Sequence, residues 1–448
     1  MIAISVVIPT HNRARLLAKH LLQLKDQSLP PEQFEVIVVA DGCMDDTATI
    51  LRGLALPYRL TVLEQTPRAG ASAARNRGAE AAQADVLLFL DDDMEPRAGL
   101  LRAHLNAQQA MAGGVVVGYF PMQAPQKGES VFTKATRLWW ADRFHELALP
   151  NHRFSLKDFC TGNVSLVRRA FHNAGGFDEA IGQSGAGEDY ELGYRLLKNK
   201  VLFQYAPAAE TLHASTSSWD ATLQRAREEG YGQAIIVQRH PELLYGFNTS
   251  RLSRLSDSIL LRPLWVAIWR YPVLARPAVA AVRMIARIFL SLNVQSLFWK
   301  LQEVLRGHAY WIGLRNALGS LSAWERLAQD APYQPENLHE VDFDVSRDLI
   351  ALDDFMQEHA PVDAMRVFVS GQPIGRIPPR IGAEPLRAQH VRALLVERFA
   401  PVLLGELVSR KGFCCSPTLG VLAKPARQEE EVNDSECQSI SGAPRFPR

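Results

Sequence analysis

The chain has 448 residues, 47% of them hydrophobic and 22% charged, with a formal net charge of +1. That length allows two or three domains, and the near-neutral charge leaves no electrostatic footprint for a nucleic-acid partner. The 5 cysteines are odd in number and include no Cys-x-x-Cys, which argues against a disulfide framework and for a reducing cytoplasm.

The N-terminus opens with a β-rich run, residues 4–8, and not with the basic start and long apolar core of a signal peptide. The turn Pro9-Thr10-His11-Asn12-Arg13 closes it, and a helical segment is expected from about residue 14 to 27. A second strand is expected over residues 34–40, ending in Asp41-Gly42-Cys43-Met44-Asp45-Asp46-Thr47, where Asp46 or Thr47 can cap the next helix. Strand, helix, strand, acid-rich loop and helix make the βαβ pattern of a nucleotide-binding sheet. No Gly-x-Gly-x-x-Gly follows the first strand and no Walker Gly-Lys-Ser/Thr is present, which disfavours a dinucleotide fold or an ATPase. Residues 70–78 read as a small-residue loop running into Arg75-Asn76-Arg77.

The most informative feature comes next. The run Val86-Leu87-Leu88-Phe89-Leu90 has no polar alternation and reads as a strand buried on both faces. It ends in Asp91-Asp92-Asp93, at the carboxyl end of a strand, where open α/β sheets bind ligands. Three adjacent acids repel one another, and a divalent cation offsets that repulsion. Magnesium or manganese suits such hard oxygen ligands and commonly joins carboxylates to substrate phosphates. A lone acidic triplet would read as a solvated turn; the remaining motifs favour the cation.

Seven segments resemble glycosyltransferase family 2, of the GT-A fold. They are Ser5 to Arg13, Val38 to Gly42, Gly70 to Gly78, Phe89 to Asp93, Thr161-Gly162-Asn163, Gly175-Gly176-Phe177-Asp178-Glu179 and Gly187-Glu188-Asp189-Tyr190-Glu191. They occur in the family's order and approximate spacing, and the resemblance covers roughly residues 3–245. It implies an inverting transfer of a sugar from a nucleotide diphosphate to an acceptor hydroxyl. It implies a metal, Mn2+ or Mg2+, that neutralises the leaving diphosphate. By the same resemblance, Asp93 matches a metal ligand, and Asp91 matches the acid that contacts ribose or metal. Asp92 is the middle position, without an assigned role. Asp41 matches the acid that hydrogen-bonds the base or ribose, and Pro9 and Thr10 match the turn that holds the base. Ala40 and Cys43 depart from the family's usual Asp-Asp-Gly-Ser there. Arg75 matches the arginine near the nucleotide, where a guanidinium suits phosphate or ribose. Thr161, Gly162 and Asn163 match the segment lining the donor sugar. Asp189 matches the general base that takes the acceptor proton, with Glu188 beside it to orient it or bind the acceptor. Glu191 reads as a structural acid of a helix first turn. His213, after an expected strand over residues 201–205, matches a histidine near metal and diphosphate.

Downstream, residues 258–302 contain no Asp or Glu but carry Arg262, Arg270, Arg276, Arg283, Arg287 and Lys300 among several tryptophans and phenylalanines. The longest uncharged run, residues 288–299, is too short for a span of ~20 residues. A basic face opposite an aromatic one reads as a helix lying in a membrane surface, broken into pieces by Pro263, Pro272 and Pro277. The other reading is a helical bundle packed on the catalytic domain.

The expected architecture is therefore α/β: a GT-A catalytic domain over residues 1–245, Rossmann-like with a mostly parallel sheet and flanking helices. A basic helical segment follows over 246–335, then a small α/β module over 336–408 with a hairpin near 366–377 and a helix near 387–404. Residues 409–448 read as a disordered tail. The expected partners are a nucleotide-sugar donor, UDP-sugar favoured, and an acceptor hydroxyl that a lipid could carry. The expected location is cytoplasmic, peripheral on the inner face of the cell membrane. No Gln-x-x-Arg-Trp and no membrane span are present, which points to non-processive transfer in cell-surface glycan or glycolipid synthesis. The alternatives are a catalytically degenerate scaffold of a glycan-assembly complex and a sugar nucleotidyltransferase; the latter needs a Gly-rich basic loop that Pro9-Thr10-His11-Asn12-Arg13 does not resemble.

Overall fold

The computed structural model describes residues 1–111, 113–124, 128–182, 186–247, 269–330, 338–347 and 351–401. It contains two compact units, Met1–Leu338 with Pro379–Pro385, and His339–Pro378 with the residues from Leu386 onward. The expected tail over 409–448, and Arg262, Pro263 and Trp265, lie outside the described residues.

The first unit is built on an eight-stranded sheet. In chain order its elements are β1 (Ile4–Thr10), α1 (Ala14–Gln23), β2 (Phe34–Asp41), α2 (Thr47–Arg52), β3 (Arg59–Gln65), α3 (Ala71–Ala81), β4 (Val86–Leu90) and β5 (Met94–Pro96). Then come α4 (Leu100–Ala110), β6 (Val115–Tyr119), α5 (Val131–Leu147), β7 (Asn163–Val167), α6 (Arg168–Asn173), α7 (Glu179–Gly182), α8 (Glu188–Lys198), β8 (Phe203–His213) and α9 (Trp219–Arg239). The strand order is β3-β2-β1-β4-β7-β6-β8-β5. The first four strands are parallel to one another, β7 runs antiparallel to β4 and β6, and β6 and β8 are parallel. This is the mostly parallel, helix-flanked α/β sheet expected of the GT-A fold. Residues of β1, β2 and β4 are buried on both faces because helices cover both sides, as their unalternating apolar runs require.

Three expectations are corrected. The small-residue segment 70–78 is not a loop: α3 starts at Ala71, and its alanines favour helix over coil. The strand expected at 201–205 runs from Phe203 to His213, bridging a register shift against β6. Pro277 does not break a helix but sits in the first turn of α10 (Arg276–Ser291), where its missing N–H costs no bond.

After α10 come α11 (Gln295–Leu318) and α12 (Leu321–Asp330). Helices α9 and α11 cross at backbone contact through two glycines. A Cβ at Gly230 would fall 1.9 Å from the Tyr310 carbonyl oxygen, and one at Gly313 would fall 1.8 Å from the Arg227 carbonyl oxygen. Among the described residues no helix is long and apolar enough to cross a membrane.

In the second unit, β9 (Glu340–Asp344), α13 (Leu352–Glu358), β10 (Ala364–Val369), β11 (Gln372–Ile377) and α14 (Ala388–Leu394) enclose a separate core around Val341, Leu352, Met365, Val367 and Val391. Strands β10 and β11 form a hairpin turning at Ser370 and Gly371, and β9 pairs with β10 in parallel.

Candidate active site

Arg75, on the buried face of α3, gathers acids from the end of β4 and the start of α8. It is 4% exposed. Its Nη2 donates to Asp91 Oδ1 at 2.8 Å, and its Nη1 donates to Glu188 Oε1 at 3.2 Å. Its guanidinium carbon lies 5.5 Å from the centre of the Phe177 ring. Asp91 follows β4; Glu188 and Asp189 open α8, whose N-terminus favours carboxylates. Gly187, at φ 107° before that helix, meets Ile236 and Gly232 of α9 so closely that a side chain there would be both strained and obstructed.

Asp189 Oδ2 accepts the Thr161 N–H at 3.2 Å. Its Oδ1, and Glu188 Oε2, are buried with no hydrogen-bond partner. Burial pushes the Asp189 carboxyl up to about 7, helped by Glu188 and Asp91 and opposed by Arg75. Burial alone would lower the Arg75 pKa, but Asp91, Asp189 and Glu188 outweigh it and raise it. The result is a fixed guanidinium beside a carboxyl that takes up and releases its proton near neutrality.

Asp92 and Asp93 diverge from Asp91. Asp92 turns inward, accepting from Thr10 Oγ1 at 2.8 Å and from Arg13 Nη1 at 2.7 Å, while its backbone oxygen contacts His20 Nδ1 at 3.0 Å. Burial raises its pKa to about 6 against Arg13 and Thr10. The middle acid thus ties β4 to the β1–α1 turn. Asp93 Oδ2 lies 3.3 Å from Arg13 Nη1 and 3.7 Å from His213 Nε2. Burial would raise its pKa, but His213 and Arg13 lower it. The juxtaposition with His213 follows from sheet register, since Met94 of β5 pairs with His213 at the end of β8.

Asp91, Asp93 and His213 do not converge as a preformed triad; among the described residues no three His, Cys, Asp or Glu side chains do. Asp91 is held by Arg75. The donor chemistry nevertheless fits a divalent cation: two carboxylates and an imidazole whose Nδ1 is buried without a partner.

Asp41 ends β2 and binds its own surroundings. Oδ1 accepts from Ala69 N–H at 2.7 Å and Gln65 Nε2 at 3.0 Å, and Oδ2 accepts from Gly70 N–H at 2.8 Å. It anchors the start of α3, and its backbone oxygen contacts His11 Nδ1 at 2.7 Å. Pro9 lies within β1, opposite Val39, one residue before Thr10.

The segment Thr161 to Asn163 divides. Thr161 is buried and supplies the N–H to Asp189; the Gly162 carbonyl faces Asp91 N–H at 3.4 Å. Asn163 does not line the cleft: it is fully buried, with Oδ1 2.8 Å from His104 Nε2 and Nδ2 donating to the Tyr119 and Ala209 carbonyls. Its polar atoms are satisfied by the core, so it orders the sheet below the cleft. Glu191 is structural as expected, paired with Arg195 and with His240 at 3.0 Å.

Two contributors were not legible beforehand. Arg13 bridges Asp92 and Asp93, and its place in the turn after β1 was the available signal. Asn76 clamps the loop before α7, accepting the Phe177 N–H at 2.8 Å and donating to the Phe177 carbonyl at 2.9 Å. That explains how Ala-Arg-Asn and Gly-Phe-Asp-Glu, a hundred residues apart, serve one site.

The sequence model described as Glycosyl transferase family 2 matches residues 5–175. Residues 5–175 thus carry a glycosyltransferase family 2 domain. This glycosyltransferase domain is 32% identical over 272 residues to validoxylamine A glucosyltransferase of Streptomyces hygroscopicus subsp. limoneus, covering 54% of this chain and 57% of that one. It is 28% identical over 232 residues to hyaluronan synthase of Pasteurella multocida, covering 45% and 24%. The chain thus spans less than two thirds of the length of these curated relatives. Among solved structures, the mannosyltransferase PcManGT of Pyrobaculum calidifontis, in complex with GDP-Man and Mn2+, is similar with TM-score 0.47 and 18% identity, covering 70% of this chain and 87% of that one.

Proposed function

We propose that the chain transfers a sugar from a nucleotide diphosphate, a UDP-sugar by preference, to an acceptor hydroxyl with inversion at the anomeric carbon. The observation that carries this reading is the cluster of buried Arg75 with Asp91, Glu188 and Asp189, in which the buried Asp189 Oδ1 is left without a partner. Asp189 takes the acceptor proton on that oxygen as the hydroxyl attacks, while the bond from the anomeric carbon to the diphosphate breaks on the opposite face. The Thr161 N–H holds Asp189 Oδ2 and so fixes which oxygen faces the acceptor. Glu188 and Asp91 keep the carboxyl basic, and Arg75 holds those two acids in place. Asp93 and His213, with Asp91, are the residues that would hold Mn2+ or Mg2+. Such an ion supplies neutralisation of the leaving nucleoside diphosphate. Pro9, Thr10 and Asp41 are the residues we assign to the nucleotide.

The relatives' names, a glucosyltransferase of validoxylamine A and a hyaluronan synthase, support hydroxyl acceptors of carbohydrate type. We assign the chain to non-processive transfer in cell-surface glycan or glycolipid synthesis at the inner face of the membrane, with a lipid-linked acceptor. The test is Asp189→Asn. Turnover should fall by about 10²- to 10⁴-fold while nucleoside diphosphate binding persists; retained turnover would remove Asp189 from the mechanism.

A further inference from the structure

Helix α10 presents its apolar side outward. Ala286 is fully buried, in a cluster with Phe132 and Phe298. On the opposite side Met284 is 60% exposed, and Ile285 and Ile288 are exposed as well. The turn before the helix exposes Leu274 at 73%, and the residue after its end, Leu292, is 65% exposed. These are large apolar side chains on consecutive turns, a pattern that ordinary surfaces avoid.

Along the chain, the charge around them has one sign. Between residues 258 and 302 the sequence has no acid. Arg276 and Arg287 are both exposed. They stand eleven residues apart, about three turns, and so share one border of the apolar face. Arg283, on the same border, pairs with Asp220, and both Arg283 and Arg287 lie over the Trp219 ring. That contact fixes α10 to the start of α9, six residues beyond His213.

We propose that this face of α10 docks on an anionic lipid bilayer, lying in the headgroup plane with Met284, Ile288 and Leu292 dipping into the acyl boundary. Exposed aliphatics flanked by arginines fit that surface, whose negative potential attracts basic segments; Asp220, the acid that meets the helix, is paired with Arg283. A second copy of the chain would bring the same arginines face to face and repel. No helix long enough to span is required. The docking stands on the surface itself; only the presentation of a lipid-linked acceptor rests on the transferase reading.

The test is sedimentation of the full chain with vesicles of phosphatidylglycerol or of phosphatidylcholine, without donor. Binding to phosphatidylglycerol should exceed binding to phosphatidylcholine at least tenfold and weaken as salt is added. Met284→Glu with Ile288→Glu should lower it more than tenfold. Arg276→Ser with Arg287→Ser should do the same for the anionic vesicles alone, and both variants should bind nucleoside diphosphate as before. No vesicle binding, binding that both double variants leave intact, or self-association abolished by the same changes would each overturn the proposal. Loss of nucleotide binding in the unaltered chain would instead refute the transferase reading and leave the docking standing.

Discussion

Asp189 should make the folded protein less stable, and Asp189→Asn should make it more stable as the pH rises. The carboxyl ionises at about 7 in the fold against an ordinary 3.8. A raised folded-state pKa means that the site's contribution is fully present below pH 3.8 and is lost as the pH climbs through 7. Each tenfold step is worth about 1.4 kcal/mol, so the fully ionised side chain costs about 4 kcal/mol. Asn mimics the neutral carboxylic acid in size and keeps an oxygen for the Thr161 N–H. Urea unfolding of both proteins should therefore give equal stabilities near pH 3.5, an Asn advantage of between about 1 and 2 kcal/mol at pH 5, and about 4 kcal/mol at pH 8. A difference that does not change with pH, or a less stable Asn protein at pH 8, would refute the claim that this carboxyl is held against its ionisation. The same carboxyl must be ionised to act as a base, so kcat/KM should fall tenfold per pH unit below about 7, and Asp189→Glu should shift that limb while Asp189→Asn removes it.

Arg75→Leu leaves Asp91 and Glu188 without their cation, beside Asp189, and should destabilise by up to about 3–5 kcal/mol, read by denaturant midpoint, with turnover lost as well. Asn76→Ala frees the loop at Phe177 and should cost about 1–3 kcal/mol; an unchanged melting temperature would contradict the clamp. Gly313→Ala drives a methyl into the Arg227 carbonyl and should destabilise by about 1–3 kcal/mol or more, while the same change at Gly307, which has open space around it, should be neutral or stabilising. Asn163→Leu should lower stability more than it lowers nucleotide affinity, because its partners His104, Tyr119 and Ala209 all belong to the core.

Strands β1, β2 and β4 were legible because parallel strands covered on both faces need uninterrupted apolar runs, and acids mark where β2 and β4 end. Segment 70–78 was misread because small residues serve both turns and close-packed helices; Gly78, with Val7 beside it, shows that the constraint was packing against β1. The extent of β8 was hidden by Pro207, which breaks the apolar alternation where the register against β6 shifts. Asp92 could not be assigned from sequence, since only the fold shows that it meets Thr10 and shares Arg13 with Asp93 while Asp91 turns to Arg75. Asn163 was drawn to the cleft by its motif, and only burial reveals that its amide is spent on His104 and two strand carbonyls. The three-acid signature named the right corner of the molecule, but the separation of roles within it depends on side chains that arrive from α1, α3, α8 and β8.

The central claim is that Asp91, Asp93 and His213 receive a nucleoside diphosphate with a divalent cation. Calorimetric titration of UDP, GDP, TDP and CDP, each with and without manganese, into the unaltered chain and Asp93→Ala tests it directly. The account predicts tight, manganese-dependent binding of one of the four, UDP by preference, and its loss in Asp93→Ala. Folded protein that binds none of them, or binds one equally well without manganese and without Asp93, would contradict it.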